Sequence, residues 1–189
     1  MRFLRTAHAR SGWAGTGWAA LALFVLAACQ QGAPAPAPPC PNIVIVKDAS
    51  ELTQFLPGPG RDLTDVTLEA RVADFRGFCD TDIKEDRTGM VDVELQLLMA
   101  ATRGPAATSR QATVNYFVAI ADKDENIVAR EEFATILTFE GNRNRVGFAE
   151  ELAQKIPLRA GQLGDEFSVF VGFVLSDEDL KYNLNKRGR

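Results

Sequence analysis

The residue types that carry most acid–base and metal chemistry are scarce in this chain. Its 189 residues include one histidine, His8, and three cysteines, Cys29, Cys40 and Cys79. Ser-His-Asp and Cys-His hydrolases need an imidazole base, and most catalytic zinc sites use at least one histidine. We therefore expect no catalytic residues, no metal site and no cofactor.

Two acidic segments contain the oxygen ligands that calcium prefers. Residues 79–86 (CDTDIKED) hold four acids in what we predict to be a loop, but their spacing matches no known calcium loop. Residues 122–126 (DKDEN) begin like an EF-hand loop, yet Ile127 replaces the required glycine and Phe133 replaces the terminal acid. We interpret the first segment as a solvated loop and the second as a hairpin turn.

The first 28 residues are organised like a secretion signal. Three arginines lie within the first ten residues, and residues 18–28 (WAALALFVLAA) form an apolar run. The run is too short to span a bilayer, which takes about 20 residues. Residues 26–29 (LAAC) resemble the lipobox of bacterial lipoproteins, and the resemblance implies cleavage before Cys29 and acylation of that cysteine. An ordinary signal peptide with a chance cysteine is the alternative.

Removal of the signal changes the charge and chemistry of the chain. It takes away His8 and both tryptophans, and leaves 18 basic against 25 acidic residues. An acidic chain without a basic run is a poor nucleic-acid binder, so we expect no nucleic-acid partner. Gln30 follows the lipobox, whereas an Asp there favours the inner membrane in enterobacterial lipoproteins. The resemblance thus implies an outer-membrane lipoprotein that faces the periplasm.

Residues 29–41 are expected to join the lipid to the domain as a spacer. Four prolines lie between residues 34 and 39, a composition that favours extended polyproline II and, less often, a docking motif. With Cys29 acylated, Cys40 and Cys79 form an even pair in an exported domain, which indicates a disulfide. Two free thiols, or pairing between chains, are the alternatives.

Apolar and polar residues alternate through much of residues 42–189, which predicts strands. We predict seven, at residues 42–47, 66–75, 89–101, 111–122, 127–139, 146–158 and 165–175. Residues 50–55 favour at most one helical turn, and Ser176 followed by acids predicts a short helix to about residue 183. The fold class is therefore all-β, an antiparallel two-sheet sandwich of immunoglobulin-like architecture, with a closed barrel as the alternative.

Two surfaces are candidates for contact with a partner. Arg103, Gly104 and Pro105 begin a loop of small residues between two long strands, and such loops can bind partners. Phe170 and Val174 fall on the face of the last strand opposite Phe167, so this strand is either central and covered on both faces or exposes an apolar patch.

These features favour a non-catalytic, membrane-anchored envelope lipoprotein that acts as a structural or protein-interaction module. Its expected partners are the membrane, through the lipid on Cys29, and an unidentified envelope protein. The first alternative is a periplasmic binding protein for a small apolar ligand or peptide. A hydrolase that uses carboxylates alone would need two acids about 5–10 Å apart in a cleft.

The resemblance to a lipobox predicts how the signal is removed from the precursor. Inhibition of lipoprotein signal processing should leave the full precursor in the envelope, because the signal is cut only next to the acylated Cys29. Immunoblotting of treated and untreated cells measures the size difference. Unchanged processing would show that the signal is an ordinary one.

Overall fold

Two four-stranded sheets pack face to face in the computed structural model, which describes residues 37–187. The expectations about the signal, Cys29 and Gln30 lie outside these residues. In chain order the strands are β1 (Asn42–Ile45), β2 (Glu51–Phe55), β3 (Val66–Ile83), β4 (Gly89–Arg103), β5 (Gln111–Ala121), β6 (Ile127–Thr138), β7 (Arg145–Leu158) and β8 (Ser168–Phe173), and one helix, α1 (Asp177–Arg187), follows.

The sheets have the strand orders β1-β8-β5-β6 and β2-β3-β4-β7. Neighbouring strands are antiparallel except for β1 and β8, which run parallel. The predicted immunoglobulin-like sandwich is thus confirmed, with eight strands rather than seven. The barrel alternative is wrong, because the strands form two separate sheets.

The core lies between the inner faces of the two sheets. Alternate residues of β4 are buried, with Val91 and Leu97 fully enclosed. They meet β5 and β8 of the opposite sheet, where Val114, Val169 and Val171 are equally inaccessible. Because side chains alternate across a strand, the apolar half of each alternating pattern forms this core and the polar half faces solvent.

Three predicted boundaries are wrong. Residues 51–55 form strand β2 rather than a helical turn, because they pair with β3 and bury Leu52 and Thr53. Strand β3 continues to Ile83, well past the predicted end at residue 75, because β4 pairs with it along its whole length. The start of the last strand moves to Ser168, since residues 164–166 form a 3-10 turn.

The predicted disulfide between Cys40 and Cys79 is confirmed, with their Cα atoms 5.9 Å apart. It joins the residues just before β1, in one sheet, to β3 in the other. The chain also passes close to the 3-10 turn here: a Cβ on Gly164 would overlap the carbonyl oxygen of Pro39. The start of the domain is therefore fixed to both sheets.

Helix α1 begins at the predicted N-cap and ends later than predicted. The Ser176 hydroxyl accepts a hydrogen bond from the Asp179 amide at 3.2 Å, and the Asp179 carboxylate accepts one from the Ser176 amide at 3.1 Å. The helix continues to Arg187 instead of residue 183. Within residues 37–187, no helix has the length and apolar character to cross a membrane.

Replacement of both Cys40 and Cys79 by serine should lower the free energy of unfolding by roughly 4 kcal/mol, because the unfolded chain regains the freedom of a loop of about 40 residues. Urea unfolding of the two forms measures the difference. Reductant should destabilise the parent chain and leave the double serine variant unchanged. Equal stability of parent and variant would show that the disulfide contributes nothing.

Candidate functional site

The four sheet edges differ in how far their backbone groups are protected. An edge strand leaves half of its N–H and C=O groups without a strand partner, so edges are where other chains can pair. The edges of this sandwich are β1 and β6 in one sheet and β2 and β7 in the other. They differ in length, in cover and in the exposure of their side chains.

Strands β1 and β2 are short and covered. Strand β1 has four residues, and its Ile43 side chain occupies the space that a Cβ on Gly77 of β3 would need. Strand β2 has five residues and lies beside α1, whose Asn183 side chain donates to the Glu51 carbonyl at 2.8 Å. The rings of Phe55 and Tyr182 meet edge to face at 5.0 Å. Neither edge offers a long row of accessible backbone groups.

Strand β7 is long but its exposed side chains are small or charged. Its outer face carries Ala149, Glu151, Ala153 and Lys155, and Pro157 lacks the N–H that a ladder needs. Proline is one of the features by which natural sheets protect an edge, and β7 has no exposed large apolar side chain that an added strand could bury.

Strand β6 is long and its edge carries exposed apolar side chains. Its twelve residues contain no glycine or proline, and β5 covers one side only. The side chains of Ile127, Val128 and Ile136 are 58%, 55% and 68% exposed. Of the four edges of the described sheets, this one alone combines length, exposed β-branched residues and an unblocked backbone. The sequence patterns predicted the strand but gave no sign that it lies at an edge.

Three charged side chains occupy the middle of β6. The Arg130 guanidinium lies over the Phe117 ring, 4.2 Å from its centroid, and pairs with Glu132 at 2.8 Å. Both side chains belong to the outer face, since they pair in register with Ala119 and Phe117 of β5. Glu131 points the other way and accepts a hydrogen bond from the Gln154 amide of β7 at 3.2 Å.

The seam between β6 and β7 is held by further contacts. The Tyr116 hydroxyl donates to the Glu150 carboxylate of β7 at 3.2 Å, and its ring stacks on Phe133 of β6. Burial and the neighbouring carboxylate both raise the pKa of Tyr116, so the phenol stays protonated and keeps donating. The seam is therefore a fixed polar contact between the sheets.

A cleft of about 340 Å³ lies at one end of this seam. Val128 and Ala129 of β6 form one wall, and Ile156 and Leu158 of β7 form the other, with Lys155 among the lining residues. The cleft adjoins the exposed start of β6. A strand added there would have room for an apolar side chain between the two sheets.

The loop at Arg103, Gly104 and Pro105 is engaged within the domain. The Arg103 guanidinium donates to the Ala107 carbonyl at 2.9 Å, and its backbone amide donates to Asn144. A Cβ on Gly104 would overlap the carbonyl oxygen of Val66, so only glycine allows this approach. Close packing against Val66 thus explains why residue 104 is glycine, and nothing in the loop itself indicates a partner.

Phe170 and Val174 are half-buried rather than open to solvent. They pack on the outer face of the sheet with Ala49, Phe117 and Ala119. Strand β8 is central, between β1 and β5. The structure agrees with the prediction of a central strand that is covered on both faces. These residues form a small second core instead of an apolar patch.

The acidic segment at residues 79–86 is not the loop that the sequence predicts. Asp80 and Asp82 lie within β3, because β4 pairs with the strand up to Ile83. Asp86 lies in the true turn, where hydrogen bonds from Thr88 lower the pKa of its carboxyl. Among residues 37–187, no three His, Cys, Asp or Glu side chains are placed to hold a metal ion.

Acidic side chains neighbour one another on the outer face of β3, β4 and β7, where Asp80 lies directly opposite Asp92 and Glu94 lies near Glu151. Glu94 and Glu151 are diagonal neighbours on the outer face, since Glu94 pairs with Ala153 and Gln96 pairs with Glu151. Both side chains are exposed, and Glu151 accepts a hydrogen bond from Gln96 at 3.3 Å. A general acid needs burial to keep its proton at neutral pH, which this open face does not provide.

Comparison with protein-family models and with curated proteins finds no match. Among solved structures, the chain is similar to a glycosyl hydrolase family 2 member from Bacteroides cellulosilyticus, with 16% identity and a TM-score of 0.24 over 52% of this chain and 16% of that one. It is also similar to the variable domain of the AgI/II polypeptide BspA of Streptococcus agalactiae, with 13% identity and a TM-score of 0.20 over 67% of this chain and 73% of that one. At these values neither likeness bears on function.

The hydrogen bonds in the turn before β6 predict that the stability of the protein depends on pH. The Asp122 carboxylate accepts bonds from the Asn126 and Asp124 amides, each at 2.9 Å, and the Asn126 bonds are the main cause that lowers its pKa. A lowered folded-state pKa stabilises the protein above the unfolded pKa of about 3.9, and this stabilisation is lost as pH falls through the folded value.

The Asp122→Ala variant should therefore unfold at a lower temperature than the parent at pH 7, and the difference should shrink towards pH 2. Thermal unfolding followed by circular dichroism at several pH values measures it. Asp124→Ala, which removes a carboxylate that contacts only the neighbouring Lys123 side chain in the hydrogen-bond pattern, is the control. A difference that does not change with pH would contradict the role given to Asp122.

Proposed function

We propose that this protein is a non-catalytic, membrane-anchored envelope lipoprotein whose β-sandwich binds a protein partner by strand addition at β6. The single observation that carries the proposal is the free edge of β6, which is regular from residue 129 to 138 after a bulge at Val128 and exposes Ile127, Val128 and Ile136. Strand addition uses main-chain hydrogen bonds for affinity and alternate side chains for specificity.

Two further observations support this function. Strand β6, to which a partner strand would add, is already formed, since it pairs with β5 along its length and contacts β7 through the seam. The cleft next to Val128 would take an apolar side chain of the added strand. Because β6 is already formed, binding needs no further ordering of its backbone.

A binding protein for a small apolar ligand is supported less well. Such proteins enclose most of the ligand in a pre-formed, largely apolar site. Here the space between the sheets is filled by core side chains such as Leu97, Phe139 and Phe173. The 340 Å³ cleft lies beside β6, a position that suits a partner's side chain better than a separate ligand.

The proposal predicts where a partner can be captured. A photo-reactive residue at Ile136 should crosslink to a protein in intact envelopes, because this side chain lies on the docking edge. The matched control is Leu163, which is 48% exposed but lies in the turn between β7 and β8. The Ala134→Lys variant should lose most of the copurified partner, at least fivefold by immunoblot, because it places a charge on the exposed edge.

Thermal unfolding of the Ala134→Lys variant should match the parent, since residue 134 is exposed. Equal crosslinking from Ile136 and Leu163, or unchanged copurification with Ala134→Lys, would contradict docking at β6.

A further inference from the structure

The side chains of β6 restrict which strand can pair with it. A bulge at Val128 interrupts the pairing with β5, and beyond it the outer face of the strand presents Arg130, Glu132, Ala134 and Ile136, all with even numbers. When two β6 strands pair antiparallel, outer-face residues lie opposite outer-face residues only if the numbers of any two opposed residues add up to an even number. Self-pairing is thus limited to a few registers, and their charges can be compared.

Three registers lie near the middle of the strand. A twofold axis at Arg130 would set arginine against arginine, and an axis at Glu132 would set glutamate against glutamate. An axis at Glu131 sets Arg130 of each copy against Glu132 of the other, which gives two opposite-charge pairs. Directly opposed side chains of opposite charge stabilise an antiparallel pair, and like charges destabilise it.

We infer that the partner strand at this edge is β6 of a second copy, paired antiparallel about Glu131. The inference rests on the proposed function and names the partner at the same edge. Residues 129–133 of the two copies face each other in regular register, Ala134 of each copy meets the bulge at Val128 of the other, and the two sheets join into one eight-stranded sheet, a size that natural sheets reach.

The axis position has one unfavourable contact, which the structure moderates. Glu131 meets its own copy on the inner face, where each carboxylate also accepts the amide of Gln154 from its own chain. Hydrogen bonding to the charged form offsets part of the repulsion. Glu131→Gln should accordingly strengthen the pair severalfold.

The pairing also fixes how two anchored chains are arranged. Because β6 runs antiparallel to its copy, the Cys40 residues of the two chains lie at opposite ends of the joined sheet. In the proposed anchored form, both chains reach one membrane when the strands run along its surface.

A single cysteine at the axis tests the inference in the full-length protein. In envelopes treated with a mild oxidant, the Glu131→Cys chain should form a band of twice the mass on a non-reducing gel, since directly opposed Cβ atoms are about 5 Å apart. Reductant should remove the band. Ile136→Cys is the matched control on the same edge, because residue 136 is far from its own copy in this register, and its band should be at least fivefold weaker.

Charge exchange tests the register independently. In the Glu131→Cys chain, Arg130→Glu or Glu132→Arg should each lower the crosslinked fraction at least threefold, because like charges then face each other. The two changes together should restore it, since each pair regains opposite charges. A folding defect would not be rescued in this way, and thermal unfolding of each variant checks the fold.

The outcomes separate the two proposals. If Glu131→Cys stays monomeric while the photo-reactive residue at Ile136 captures a different protein, the second copy is excluded and strand addition stands. If neither site crosslinks, both proposals fail. A stronger dimer band from Ile136→Cys than from Glu131→Cys would overturn the register and with it the inference.

Discussion

Burial of the two inner sheet faces against each other is the interaction on which the other features of this protein depend. The hairpin of β3 and β4 supplies most of one face, and β5 and β8 supply the centre of the other. Because this core is formed from alternating side chains, each strand has one polar face turned outward. The extent of this core along each strand determines where the sheet edges, the seam between β6 and β7, and the turns lie.

The same alternation explains what could be predicted from the sequence. Strands β4 to β7 were predicted to within about two residues at each end, because their apolar residues recur at every second position. The second half of β3 was not, since Gly77 and the exposed Phe78 interrupt the pattern and only the pairing with β4 keeps the chain extended. Strand β2 was not predicted, because five residues are too few to show a clear alternation of apolar and polar side chains.

The candidate edge could not be predicted for a related reason. Strand order follows from packing between distant segments, and alternation within β6 is the same whether a strand is central or at an edge. Of the expected docking residues, Phe170 lies on the central β8 and Val174 directly follows that strand, and both pack with Phe117 and Ala49. What distinguishes β6 is therefore a property of the assembled sheet: β1 and β2 are short, β7 contains a proline and no exposed large apolar side chain, and β6 is long with exposed β-branched residues.

The bond between Cys40 and Cys79 has a mechanical consequence. A pulling force on the chain ahead of residue 40 would otherwise act on β1, whose four residues could be stripped from β8 one after another. The disulfide carries the force into the middle of β3 instead, where rupture means sliding a ladder that runs from Leu68 to Ile83 along β4. A domain tethered at this end thus resists extension with its longest hairpin and not with its weakest strand.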